Sequence, residues 1–306
     1  MVRLAKLENP MKKQILRSVL LVAASLVGLA ATPAAHAATW NGTWNYDSCS
    51  NLGAAVTWGN SYNCTDSALP NDAKMNISGW SSDLSPSTTF VPAAVYPWGS
   101  SAGFGIVNRE ECAVGSATVC DPGTGPHAAD GVSNLDGFLM KFSNGPSDIV
   151  KVALESVQIG WNGSDDKGVT TSTKGNACTG YCDSDISVYY YTGSSDPNMG
   201  LVSAASLKGA TTTVAVNGWL LLGTYNDVGL NANNTVNLGN TGKSSSWWLV
   251  TAANTTTMDG NADAFKLLTV AGTGETTKRT PEPGSLALAG LALFGMVGLR
   301  RKAKQA

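Results

Sequence analysis

Apolar and polar positions alternate in short stretches along most of this chain, and nothing between residues 40 and 280 sustains a helical period. The clearest block is 137–193. GFLMKFS predicts a strand with Phe138, Met140 and Phe142 on one face. DIVKVALESVQIGW carries Val150, Val152 and Leu154, then Val157, Ile159 and Trp161 at strict period 2. The register change at Glu155-Ser156 predicts a bulge or a tight turn between strands. A helix over 148–158 is the rival, but the β-branched content and Gly160 favour strand. DISVYYYTG places Ile186, Val188 and Tyr190 on one face and Tyr189 and Tyr191 on the other. TTTVAVNGWLLLGTYNDV reads as two strands broken at Asn217-Gly218, a strong hairpin signal. SSSWWLVTAAN and DAFKLLTVAGT close the series, and WNGTWNY, AAVTWGN and SAGFGIVNREE open it. Ser81 to Pro97 reads as a loop feeding AAVYPWG, and NANNTVNLG as turn. Short strands with Gly/Asn turns predict an all-β fold, a β-sandwich or jelly-roll-like ectodomain.

The two ends follow other patterns. Near the start, Met11-Lys12-Lys13 and Arg17 are basic, Val19 to Ala31 is apolar, and Ala35-His36-Ala37 is an A-x-A cleavage site, which together predict a signal peptide. Translation is expected to begin at Met11, because residues 1–10 add nothing that a signal peptide needs. At the other end, Pro281, Glu282 and Pro283 form a stiff, extended spot that lacks two backbone donors. The apolar run Gly284–Leu299 gains free energy in lipid, and Arg300, Arg301, Lys302 and Lys304 would hold the end on the cytoplasmic side. The run is shorter than the ~20 residues a full span prefers, which suits a transient transmembrane helix.

This order of processing site, apolar run and basic tail resembles the PEP-CTERM sorting signal of Gram-negative bacteria. The resemblance implies an exosortase acting near Pro281–Pro283, after export by the Sec machinery and transient anchoring in the inner membrane. Four parts are expected: a signal peptide over 1–37, a β ectodomain over 38–272, a linker over 273–280 and the sorting signal over 281–306.

Composition sharpens this picture. The two ends carry nine of the chain's 20 basic residues and two of its 22 acidic ones, leaving 11 against 20 in the central part. An acidic body argues against nucleic acid, which demands Lys/Arg stripes. The six cysteines, Cys49, Cys64, Cys112, Cys120, Cys178 and Cys182, all lie in that part. In an exported chain an even count reads as disulfides, and the spacing favours three local loops, 49–64, 112–120 and 178–182. Zinc is the weaker reading, because the cysteines are spread out.

Candidate chemistry is sparse. With His36 in the signal peptide, His127 is the one histidine left, so a multi-histidine metal centre is excluded and a Ser-His-Asp triad would have to use His127. There is no phosphate loop or dinucleotide fingerprint. A glycosidase needs two facing carboxylates, for which Glu110 or Glu111 with Asp136, or Glu155 with Asp185, are candidates. Asp165-Asp166 and Asp183-Asp185 read as solvated turns or a weak Ca²⁺ site, without the EF-hand pattern. Trp40, Trp44, Trp58 and Trp80 are either a sugar platform or core residues. The oxygen-rich turn from His127 to Asp136 is a candidate Ca²⁺ site through Asp130, Asn134 and Asp136, or a set of Asx-turns.

The succession GFGIVNREE, PHAAD, GFLMKFS, VALESVQIGW, DSDISVYYYTG and WWLVTAAN, over 103–254, resembles the ectodomain of exosortase-dependent surface proteins. That resemblance implies export and surface display and carries over no catalytic residue. The expectation is a non-catalytic protein of the cell surface or an extracellular polysaccharide matrix. The alternative is a secreted carbohydrate-binding module or glycoside hydrolase on a jelly-roll scaffold.

Overall fold

The computed structural model describes residues 39–66, 73–83, 88–112, 119, 128–131, 134–144, 149–162, 184–226, 228, 234–239, 241–253 and 263–275. All of them fall in one compact unit, Ala38–Thr276. The expected signal peptide with Ala35 and Ala37, the Pro281–Pro283 triplet, the basic residues 300–302, His127, Cys120, Cys178 and Cys182 lie outside the described residues. Among the described residues, no helix is long and apolar enough to cross a membrane.

The described fold is nearly all β. Its strands are β1 (Thr39–Asn45), β2 (Ser61–Thr65), β3 (Ala73–Asp83), β4 (Val91–Pro97), β5 (Phe104–Val107), β6 (Ala129–Asp130), β7 (Asn134–Asn144), β8 (Val152–Asn162), β9 (Ile186–Tyr191), β10 (Trp219–Tyr225), β11 (Thr235–Asn237), β12 (Trp247–Ala252) and β13 (Ala264–Glu275). They form one antiparallel sheet in the order β10-β9-β12-β7-β3-β4-β5-β13-β8-β11, with β1 and β6 also on β13 and β2 also on β3. The sheet is near-closed. β4 carries it from one half to the other, pairing with β3 through Gly79↔Ala93 and with β5 through Val95↔Ile106.

The halves meet face to face through large side chains. Phe138 of β7 packs edge-on against Phe265 of β13 at 5.7 Å, and Trp44 of β1 against Phe142 of β7 at 4.7 Å. Trp248 of β12 reaches across to donate its Nε1–H to the carbonyl of Val152, 3.0 Å away. A buried indole N–H left unpaired would cost free energy, so this bond fixes the ring as well as burying it.

Burial explains the two styles of strand text. β1 and β2 alternate exposed and buried residues, as strands with one wet face must. β7, β9 and β12 are buried almost continuously. Their even face meets the other half of the sheet. On their odd face, Leu139, Leu249 and Tyr189 pair across the three strands and join the core cluster that includes Met199, Val202 and Leu207. That segment holds the one α-helix of the described residues, Ala204–Leu207, capped by Ser203, whose Oγ accepts from the N–H of Ser206. Runs such as FLM, WWLV and VYYY therefore have no polar face to show.

Several expectations take concrete form. Phe138, Met140 and Phe142 all point inward. The register change at Glu155-Ser156 is a bulge inside the single strand β8. Ser156 pairs with Ala271 and Leu154 with Gly272, so Glu155 is the extra residue. Asn217 and Gly218 have φ of 48° and 86°, the left-handed pair that a tight hairpin turn requires. The strand expected before that turn reduces to one bridge, Val216↔Trp219, because Thr211 Oγ1 accepts from the N–H groups of Thr213 and Val214 and curls the chain. AAVTWGN is not a strand. Its backbone bonds go into turns, Ala54 N–H to Asn51 O and Asn60 N–H to Thr57 O. β2, β3 and β11 lie where short apolar pieces, loop or turn were expected. β13 runs to Glu275, past the expected end of the ectodomain at 272, because β1 pairs with it over residues 269–275.

Candidate functional site

Cys49 and Cys64 are joined, as the spacing predicts, and their bond closes a loop of sequence separation 15 beside β2. Cys112 is also disulfide-bonded, to a cysteine outside the described residues.

The aromatic residues do not form a platform. Of the nine tryptophans none is exposed: Trp40, Trp44, Trp219 and Trp248 are buried and the other five half-buried. Four of those five already hold a cation over the ring. Arg109 lies over Trp58 at 4.8 Å, Lys141 over Trp247 at 4.7 Å, and Lys266 against both Trp98 and Trp161 at 4.1 and 4.5 Å. A sugar would have to displace charges held there by the ring quadrupole and, at Lys266, by burial. The suggested set Trp40, Trp44, Trp58 and Trp80 is split, since its first two members belong to the core.

Of the candidate carboxylate pairs, Glu155 and Asp185 separate, whereas Glu111 and Asp136 are both bound by Asn108, with Asp136 buried. Glu155 is exposed and accepts from the Thr273 hydroxyl on the outer face of β8 and β13. Asp185 is buried, and its N–H donates to Asp263 Oδ1 at 2.9 Å at the far end of β13. About eight residues of strand lie between these points, roughly 26 Å. Glu110 is exposed and Asp136 fully buried. A glycosidic acid must reach the leaving oxygen, and Asp136 has no open face from which to do so.

Asp136 is nonetheless the most unusual titratable group described. It lies at the start of β7, on the same inward face as Phe138, where the interior changes from rings to oxygens. Its cross-strand partner is Ser81 of β3. Asn108, just past β5, organises the surroundings. Its Oδ1 accepts from the N–H groups of Glu110 and Glu111 at 3.0 and 3.1 Å, an Asx-turn that curls the NREE segment back. Its own N–H donates to Glu111 Oε2 at 2.8 Å, and its Nδ2 donates to Asp136 Oδ2 at 3.4 Å. One asparagine thus holds two carboxylates. Burial pushes the Asp136 carboxyl well above its ordinary range, and the charge of Glu111 pushes it further. The Ser81 hydroxyl, the Asn108 amide and the Asp130 backbone N–H pull the other way without winning.

The three expected Ca²⁺ ligands therefore meet only in part. Asn134 and Asp136 lie two residues apart on one inward face. Asp130 of β6 brings its backbone N–H to Asp136, while its register with Ala264 sets its side chain on the face opposite Ala129 and Phe265. Among the described residues no three His, Cys, Asp or Glu side chains come together as a metal centre. Sequence reasoning missed Asn108 and Ser81. An Asn after a strand reads as a turn residue, and nothing local shows that its amide reaches a side chain 28 positions away.

The described unit is thus an all-β body with its first and last strands paired, Thr39 against Glu275, so both chain ends leave from one place. The chain carries a PEP-CTERM protein-sorting motif: the family model of that description matches residues 279–302. The motif implies export, processing by an exosortase and a cell-surface or extracellular location. No curated protein and no solved structure matches the chain.

Proposed function

We infer that this is a non-catalytic surface or extracellular-matrix protein of a Gram-negative bacterium, exported by the Sec pathway, anchored briefly in the inner membrane and processed near Pro281–Pro283. The observation that carries the reading is the sorting motif at 279–302. The body supports it with a tightly packed interior, half-buried tryptophans occupied by cations, and candidate carboxylates that lie far apart (Glu155, Asp185) or are buried (Asp136). In the Thr-rich segments near 251–257 and 269–280, threonines other than the fully buried Thr251 are candidate carriers of O-linked sugar. Replacing Pro281 and Pro283 by alanine should leave uncleaved precursor in the inner membrane, read by fractionation and immunoblot. Normal release of that variant would count against the reading.

The alternative, a carbohydrate-binding module or glycoside hydrolase, retains one favourable observation, the number of aromatic rings near the surface. Glycan-array binding with and without Ca²⁺ separates the two readings. A glycan bound specifically, and lost when Trp98 or Trp161 is replaced by alanine, would favour the module.

A further inference from the structure

β13 is held along both edges to its very end. It pairs with β8 as far as Gly274↔Val152 and with β1 from Thr269 to Glu275, the last pair being Thr39↔Glu275. Over this stretch its backbone N–H and C=O groups are taken up in two ladders, alternate residues turning to one neighbour and then the other. Both neighbours are fixed in turn. Val152 exchanges backbone bonds with Ser245 at 2.9 and 3.1 Å, and its carbonyl also accepts from Trp248 Nε1. β1 is fastened by two buried indoles. Trp40 faces Gly274, where even a methyl group would strike its ring. Trp44 packs on Phe142 and donates its Nε1–H to the carbonyl of Ala73 at 3.4 Å. The Thr273 hydroxyl bonds to both sides, to Asn41 Oδ1 of β1 at 3.1 Å and to Glu155 Oε1 of β8.

The sorting motif begins four residues further on, at Arg279, and Pro281 is six residues past Glu275. Six residues of chain reach at most about 22 Å. An enzyme that takes up an extended peptide pairs with that peptide's backbone groups. Those of β13 are already bonded to β1 and β8. Recognition of the tail therefore starts past Glu275, and the run 276–280 is all that the body leaves on that side of the triplet.

We propose that the β1–β13 pairing is a clamp that sets the upstream limit of exosortase processing, with Trp40 as its positioning residue. The inference rests on the processing reading above. The first strand past the expected cleavage site at Ala37 thus decides which bonds near the other end of the chain are reachable. If the spacer is shortened, the exosortase has to wait until the end of β13 opens. Processing then falls by the fraction of time that this end is open. The length of the spacer counts, and its sequence does not.

The test deletes Thr276, Thr277 and Lys278 from the full chain and leaves the matched motif, 279–302, intact. Precursor and product are followed by pulse-chase and intact mass in cells containing an exosortase. Processing of the shortened chain should slow about tenfold or more, and Gly-Ser-Gly in place of the three residues should restore it. Trp40→Ala in the shortened chain should recover most of the rate, because it frees β1 from Gly274. Phe138→Ala, which loosens the core elsewhere, should not. The product of the unaltered chain should end at or beyond residue 276. A product ending before Glu275, a shortened chain processed at the normal rate, or equal recovery in Trp40→Ala and Phe138→Ala would overturn the clamp. No recovery in Trp40→Ala would overturn it too, since the bulk of the body and not the pairing is then the barrier. An unaltered chain that is never processed would overturn the processing reading itself, and the clamp with it.

Discussion

The body and the tail carry information in opposite ways. The tail needs 24 residues, 279–302, to be matched by a family model, and its meaning sits in specific residues: two prolines, one glutamate and a basic end. The body spreads its meaning over thirteen described strands and one large core, and no curated protein or solved structure matches it. A peptide that an enzyme must recognise depends on identity, whereas a β core depends on pattern, volume and register. Substitutions in the body should therefore lower stability in graded steps. Substitutions in the tail should change processing sharply and leave stability alone.

The largest step in the body should come from its centre. Phe138 is fully buried and packs on Phe265, so Phe138→Ala should cost about 3–5 kcal/mol in chemical denaturation. Removing the Cys49–Cys64 bond by paired serine substitution frees a loop of separation 15 and should cost about 3 kcal/mol. That variant should also lose its dependence on reductant at this site. Gly218→Ala puts a side chain on φ of 86° beside Tyr191 and should cost about 1–2 kcal/mol. A tail-like, all-or-none response to any one of these would break the comparison.

The smallest effect sharpens it. Asp136 is held above the ordinary carboxylate range by burial first, and the charge of Glu111 adds to it. A carboxyl raised on folding stabilises at low pH and loses that contribution as pH rises through its folded value. Stability should fall as pH climbs from about 4, the unperturbed carboxylate value, and Asp136→Asn should flatten the curve. A stability that rises with pH in that window, with the same slope in Asp136→Asn, would remove Asp136 from the account.

Much of the body was legible where both periodicity and side-chain size spoke together. Phe138, Met140 and Phe142 announced β7, and the shift of parity at Glu155 announced the bulge in β8. β3 was missed although Met75, Ile77 and Gly79 alternate with Lys74, Asn76 and Ser78. Gly and Asn have low strand propensity, and its pairing with β7 joins Ile77 to Met140, far along the chain. β11 is three residues in an Asn-rich stretch and exists because β8 offers an edge to Val236. AAVTWGN failed in the other direction, with strand-like residues and no partner strand. At the polar end of β7, the sequence supplied Asn134 and Asp136 but not Asn108, whose role depends on a contact between β5 and β7 that no local pattern encodes.

The most direct test of the central claim is to move the address without the body. Residues 279–306 fused to an unrelated exported reporter should yield a precursor that is processed in cells containing an exosortase and retained in the inner membrane in cells lacking it. The fused tail with Pro281 and Pro283 replaced by alanine should be retained in both. A reporter processed equally with and without the exosortase, or one never processed with the intact tail, would contradict the account.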